Sequence, residues 1–198
     1  MHEETRPRGR PRGPHTDQKI LEAALSLMAR HGYARMSVDA VAAAAGVTKP
    51  TIYRRYPSKE ALATAALAAS RLQTAPAESG DTRTDLIAHL RHFQRGVGRP
   101  FGMAMLGTVL AEEHETPELL ALYREHVVRP RRHMVRTVLA RARARDEFRD
   151  EVDIETAINM LIGSYYAHYL ADTPVPADWP ERTTDAALAG LLRPPTAA

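Results

Sequence analysis

Apolar positions recur at helical spacing along nearly the whole chain, and the strict alternation that marks strands is missing. Ile20, Ala24, Leu27 and Met28 share one face, with Leu21 and Leu25 beside it, and predict a first helix over 17–31. Thr16 or Asp17 is placed to cap it, and Gly32 to stop it in the left-handed conformation. Val38, Val41, Ala42 and Ala45 predict a second helix between an N-cap at Ser37 and a stop at Gly46. A third starts at a Thr48 cap, tolerates Pro50 in its first turn and ends near Tyr56-Pro57. Ser58 caps a fourth, with Ala61, Leu62, Ala65, Ala66 and Ala69 on one face. After a linker-like stretch over 73–81, longer helices follow over 82–97, 100–113, 117–145 with a kink at Pro130, 153–171 and 178–192. The predicted fold class is all-α with nine helices.

Helices 2 and 3 are separated only by a short turn centred on Gly46, which is helix-turn-helix spacing. The Ala-rich second helix permits close crossing, and Val47 can plug the corner. The third helix then presents Lys49, Thr51, Tyr53, Arg54 and Tyr56, donors and aromatics suited to phosphates and base edges in a major groove. An ordinary αα-hairpin in a bundle has the same outline, so the geometry by itself leaves both readings open.

Charge adds to the picture. Residues 1–60 carry 11 Lys and Arg against 6 Asp and Glu, whereas residues 61–198 carry 16 against 18. A basic front on a mildly acidic remainder suits a polyanion-binding head on a body with another task. In the first fifteen residues Arg6, Arg8, Arg10 and Arg12 alternate with Pro and Gly and can bury nothing, so they read as a flexible basic arm. Arg8-Gly9-Arg10-Pro11 is the core of an AT-hook-like sequence, thin enough for a narrow A·T minor groove.

Residues 17–62 resemble the DNA-binding domain of the tetracycline-repressor (TetR) family of transcriptional regulators. The matching pieces are Ile20-Leu21-Glu22-Ala23-Ala24, Gly32-Tyr33, Ser37-Val38-Asp39-Ala40-Val41-Ala42 and Ala45-Gly46-Val47, followed without gaps by the diagnostic run from Thr48 to Leu62. Pro50 is a mild departure, since the family often carries a small residue there. Arg129-Pro130-Arg131-Arg132 and Ile154-Glu155-Thr156-Ala157 resemble bodies seen in a TetR branch. Beyond the basic arm over 1–15, the resemblance implies a helix-turn-helix domain over 16–62 and a helical ligand-binding and dimerisation domain over 63–198. It also implies a repressor that binds a palindromic DNA operator as a homodimer and is released by a small-molecule effector. Helix 3 becomes the recognition helix, with Lys49, Thr51 and Arg54 as base-edge candidates. Thr48, Tyr53, Tyr56 and Lys59 become phosphate candidates, and Ser37, Arg8 and Arg10 complete the DNA-binding set.

In the body, Ile158, Leu161, Ile162 and Tyr169 with Leu188 and Leu191 are the candidate dimer surface, accompanied by Tyr165, Tyr166, Ala187 and Leu192. Phe93, Met103, Leu106, Leu110, Tyr123, Met134, Tyr165 and Tyr166, with Met105, are candidate pocket residues, although a Met or aromatic stripe at helical spacing is also what plain core looks like. No Cys is present, and most of the nine His read as surface residues, with no metal spacing among them. No cofactor and no metal site are expected. The alternatives are an effector-free architectural DNA binder and an enzyme using Glu112, Glu113 and His114, for which no nucleophile motif or phosphate loop speaks. The longest uncharged stretch, Thr156–Ala171, is short of the roughly 20 apolar residues of a membrane span. With no apolar run at the N-terminus, a cytoplasmic protein with no membrane partner is expected.

Overall fold

Helix-forming Ala, Leu, Arg and Glu between well-placed caps produce a helical chain, seen in a computed structural model. It describes residues 14–70, 75–99 and 101–192. The helices are α1 (Pro14–His31), α2 (Val38–Ala45), α3 (Lys49–Tyr53), α4 (Lys59–Ala69), α5 (Thr82–Val97), α6 (Gly102–Ala111), α7 (Pro117–Tyr123), α8 (Arg129–Ala144), α9 (Ile154–Leu170) and α10 (Trp179–Leu191). A π-helical segment, Arg124–Val128, joins α7 to α8, so the described residues form nine rods and no strand. The kink expected at Pro130 is this wide turn. Proline has no N–H to give, and the chain absorbs the loss by letting Arg129 N–H bond Arg124 O, five residues back.

Polar caps start several helices, those at Ser37 and Ser58 as the sequence predicts. Ser37, Ser58, Asp81 and Asp153 each accept a backbone N–H at the start of α2, α4, α5 and α9. Gly46 ends α2 at φ 65° and Gly32 follows α1 at φ 83°, both in the left-handed region where a Cβ is strained. Two readings need correction. Thr48 occupies the N-cap position of α3, but its hydroxyl bonds the Thr51 hydroxyl at 2.9 Å and caps nothing. Helix α1 begins at Pro14, so Asp17 lies in its first turn and not before it.

The core is organised around two clusters. The first joins α1, α2, α3 and α4 through Ile20, Met28, Val41, Ile52, Leu62 and Leu67, and extends into α6, α7 and the π segment through Met105, Val109, Leu119 and Val127. Helix α4 runs unbroken across residues 62–63 and buries Leu62, Ala63, Ala66 and Leu67, a stripe displaced from the predicted one. The second cluster packs α5, α8, α9 and α10 around Leu86, Leu90, Leu139, Ile158, Leu161 and Trp179. Arg132 and Arg136 clamp Glu155 across α8 and α9, each at 2.7 Å, and these bonds hold its carboxyl down at about 2.

The body interior also corrects the expected dimer surface. Ile158, Leu161, Ile162, Leu188 and Leu191 are all buried within one protomer, as is Ala187. Only Tyr169 of the named set is clearly exposed. The large side chains of α9 and α10 complete the protomer's own core. What these helices turn outward is Thr156, Asn159, Met160 and Ala167 with the partly exposed Gly163, and Ala186, Ala189 and Gly190. Two histidines are not on the surface. His89 and His92 are buried in α5, and burial pushes both imidazoles below their ordinary range.

Candidate nucleic-acid interface

The turn at Gly46 sets α3 against α2 through one large apolar anchor, Ile52, which is fully buried. Because α3 offers only that anchor, its other side chains lie outward or at the rim. Thr48, Lys49, Tyr53 and Arg54 are exposed, and Thr51 and Tyr56 are half-buried. Ser37 is exposed at the start of α2, its Oγ accepting Ala40 N–H at 3.1 Å. Arg54 forms no ion pair among the described residues. Lys49 Nζ instead lies 2.8 Å from Asp39 Oδ2, which raises the ammonium pKa through that hydrogen bond. Burial is the first cause that raises the Tyr56 phenol, followed by Asp17. Arg8 and Arg10 fall outside the described residues.

Three tertiary ties fix this surface, and none was apparent in the sequence. Arg55, only 12% exposed, reaches Asp17 of α1 at 2.6 Å and donates to Thr51 O at 3.1 Å, which pins the end of α3 to α1. Lys59 Nζ donates to Ala34 O at 3.1 Å and sits 4.4 Å from the Tyr33 ring centroid. The phosphate candidate is therefore already engaged in holding α4 to the α1–α2 turn. The Tyr33 hydroxyl donates to Glu60 Oε1 at 3.2 Å, and burial, then that carboxylate, pushes the phenol up to about 12.

The third tie comes from the body. Gly32 N–H bonds back to Met28 O at 2.9 Å, but the next N–H, of Tyr33, is taken by Glu112 Oε2 at 3.0 Å. Thr116 Oγ1 donates to the same oxygen, and Thr108 Oγ1 donates to Ala29 O at 3.2 Å. A Cβ on Gly32 would stand 1.7 Å from Glu112 Oε1, so only glycine admits the carboxylate there. Glu112 thus has a structural task as a latch between α6 and the head. His114 is almost wholly exposed, 3.6 Å from Glu113.

Two cavities flank α6. One, of about 960 Å³, lies between α1, α4 and the body and is lined by Leu21, Leu25, Ala69, Phe101, Met105 and Val127 among others. The other, of about 530 Å³, brings together Phe93, Met103, Leu106, Leu110, Tyr123 and Tyr166, six of the eight predicted pocket residues. Met105 faces the first cavity. Met134 and Tyr165 line neither. Tyr165 is spent on edge contacts with Phe93 and Trp179 at 5.5 and 5.2 Å, and half-buried Met134 shares the α8 rod with Arg131 without reaching the lining.

A basic helix-turn-helix held by a helical body defines a DNA-binding regulator by its architecture. The comparisons with known proteins agree. The model for bacterial regulatory proteins of the tetR family matches residues 20–66, and that for the tetracyclin repressor-like C-terminal domain matches residues 76–187. The chain is 30% identical over 168 residues to the HTH-type transcriptional regulator YdeS of Bacillus subtilis, covering 82% of each. It is 32% identical over 186 residues to the DNA-binding transcriptional repressor TetR of Mycobacteroides abscessus, covering 92% of this chain and 97% of that one. Among solved structures, the TetR family transcription regulator SCO0332 superposes with a TM-score of 0.62 at 28% identity, over 90% of this chain and all of that one. The flavonoid-responsive regulator FrrA shares the fold, with a TM-score of 0.68 at 23% identity over 89% and 95%. The chain belongs to the TetR family of transcriptional regulators.

Proposed function

We propose that this regulator is a repressor that grips a palindromic operator as a homodimer and lets go when a small molecule enters the body. The observation that carries the reading is the outward set Thr48, Lys49, Tyr53 and Arg54 on a short helix whose only large anchor is Ile52. Lys49, Thr51 and Arg54 read base edges, while Thr48, Tyr53, Tyr56, Ser37 and Lys59 meet phosphates, with Arg8 and Arg10 in the adjacent minor groove. The division of labour is an arm over 1–15, a DNA-binding head over 16–62 and an effector and dimer body over 63–198. The repressor role is supported by the Mycobacteroides abscessus relative, and the effector by the flavonoid-responsive structural neighbour. No catalytic role is assigned, and the site of action is the cytoplasm.

The dimer face in this reading is the exposed stripe of Thr156, Met160, Gly163 and Ala167 beside Ala186, Ala189 and Gly190. Added Cβ atoms on Gly163 and Gly190 would meet nothing within 4 Å, so a second copy can approach closely there. Release works through α6. An occupant displacing α6 pulls on Glu112, the Tyr33 N–H and, through the Tyr33 ring, Lys59 and α4. Two recognition helices must enter successive major grooves about 34 Å apart, so a small change in their separation penalises binding. Typical couplings of this kind are about 5- to 150-fold.

The test is footprinting of the purified chain on DNA upstream of its own gene, then the same titration with compounds that bind the body. A two-fold symmetric footprint that weakens as the compound saturates is the expected result. A footprint that ignores every tight body ligand would favour the effector-free architectural reading.

A further inference from the structure

The second cavity contains a cation with no acid to balance it. Its described lining holds two arginines and no carboxylate. Arg132 is committed to Glu155 and Asn159, both at 2.7 Å. Arg131, one residue before it, forms no ion pair among the described residues, and it also borders the first cavity, whose wall includes Asp17 and Glu22. Its guanidinium lies 5.7 Å from the Phe93 ring centroid and passes beside Gly96 of α5, where an added Cβ would stand 3.4 Å from Nη2. Burial raises the phenols of Tyr123 and Tyr166, and Arg131 offsets part of that at both by charge and hydrogen bonding, so two neutral hydroxyls stand beside the one unbalanced charge. Around them the walls are apolar, with Met103, Leu106 and Ile162, and exposed Leu110, Tyr169 and Leu170 mark the mouth.

A guanidinium in apolar surroundings without a carboxylate is costly, and a ligand that supplies the missing anion recovers that cost. We propose that this cavity takes an amphipathic monocarboxylate, its carboxylate on Arg131 with the Tyr123 and Tyr166 hydroxyls donating, and its apolar body along Phe93, Met103 and Leu106. Arginine suits this task because its planar fork presents two parallel N–H groups to a carboxylate. The proposal rests on the effector reading above and narrows it to a ligand class. A neutral ligand of the same shape leaves the charge unbalanced and forfeits the strongest polar contact.

The experiment is calorimetric titration of the full chain with two probe pairs, 2-naphthoate against 2-naphthamide and decanoate against decanamide. At least one carboxylate should bind more than about tenfold tighter than its amide, the scale of one charge-assisted hydrogen bond. Arg131→Gln should abolish that preference and Arg131→Lys should keep most of it, with thermal melts confirming that both variants fold. Equal binding of acid and amide by the unmodified chain, or no binding of either carboxylate at millimolar concentration, overturns the proposal without reference to any variant. The regulatory reading fails separately: a carboxylate that saturates the site while operator affinity stays fixed supports the anion site and removes it as the switch.

Discussion

The recognition helix α3 and the body helix α9 pose the same question, which side of a helix faces outward, and the sequence answers it for only one of them. On α3, Ile52 is fully buried and its neighbour Tyr53 is 43% exposed, because apolar and polar residues alternate sharply around a short helix. On α9 almost every residue is apolar or small, so hydropathy marks no preferred side. Size marks it instead. Ile158, Leu161 and Ile162 turn inward where contact area is greatest, and Gly163 and Ala167 turn outward. The sorting by size is partial, since Met160, Tyr169 and Leu170 of the same helix stay exposed, so a partner there would meet small and bulky residues together.

The largest expected effect tests that rule directly. Leu161→Ala should cost the protomer about 2–5 kcal/mol, since it opens a cavity at a fully buried site. Ala167→Glu, at an exposed position, should leave the unfolding free energy of the isolated protomer within about 0.5 kcal/mol of the parent. The same substitution should shift sedimentation from dimer to monomer. If Leu161→Ala dissociated a dimer while leaving the fold intact, the original assignment of Leu161 to the contact surface would be restored.

The next effect is on the head. Arg54→Ala should weaken operator binding by about 1–3 kcal/mol and relax the preference at one base position in a binding-site selection. Lys59→Ala should behave differently. Because Lys59 holds Ala34 O and the Tyr33 ring, its loss should lower thermal stability as well as DNA affinity. A Lys59→Ala protein with unchanged melting and a shallower salt dependence would return Lys59 to a purely phosphate role.

A smaller loss is expected at the joint between the two regions. Glu112→Ala leaves the Tyr33 N–H without its acceptor and should cost about 1–2 kcal/mol. It should also weaken the effect of a body ligand on operator binding more than it weakens either binding event alone. Retention of full coupling in Glu112→Ala would move the transmission route elsewhere, with Thr108 to Ala29 as the next contact to break.

Legibility followed the range of the contacts. The existence of the helices, the caps at Ser37 and Ser58 and the turn at Gly46 depend on residues within a few positions of one another, and these were readable. Phe93, Met103, Leu106, Leu110, Tyr123 and Tyr166, named from the sequence, meet at one cavity, although Phe93 and Tyr123 also belong to the two core clusters. Glu112 and Tyr33 are 79 residues apart, Arg55 and Asp17 are 38 apart, and nothing in either local pattern announces the other. The start of α1 was missed for a different reason: Asp17 resembles a cap in sequence, but in the fold its carboxylate serves Arg55.

The smallest effect concerns the exposed pair on the recognition surface itself. Lys49 Nζ lies 2.8 Å from Asp39 Oδ2, with the two side chains 46% and 68% exposed, so water screens the pair and it adds little to stability. Its consequence is for binding. To reach a base edge or phosphate, Lys49 must leave Asp39, and the Asp39 carboxylate then faces the same polyanion. Asp39→Asn removes both obstacles while keeping a side chain of the same shape in the first turn of α2. Operator affinity should rise about two- to fivefold at low salt, the scale of one surface pair, and the gain should fade as salt is raised. Melting should be nearly unchanged. A loss of affinity in Asp39→Asn would mean that Asp39 positions Lys49 for its contact, and the head would then be more finely preorganised than its exposure suggests.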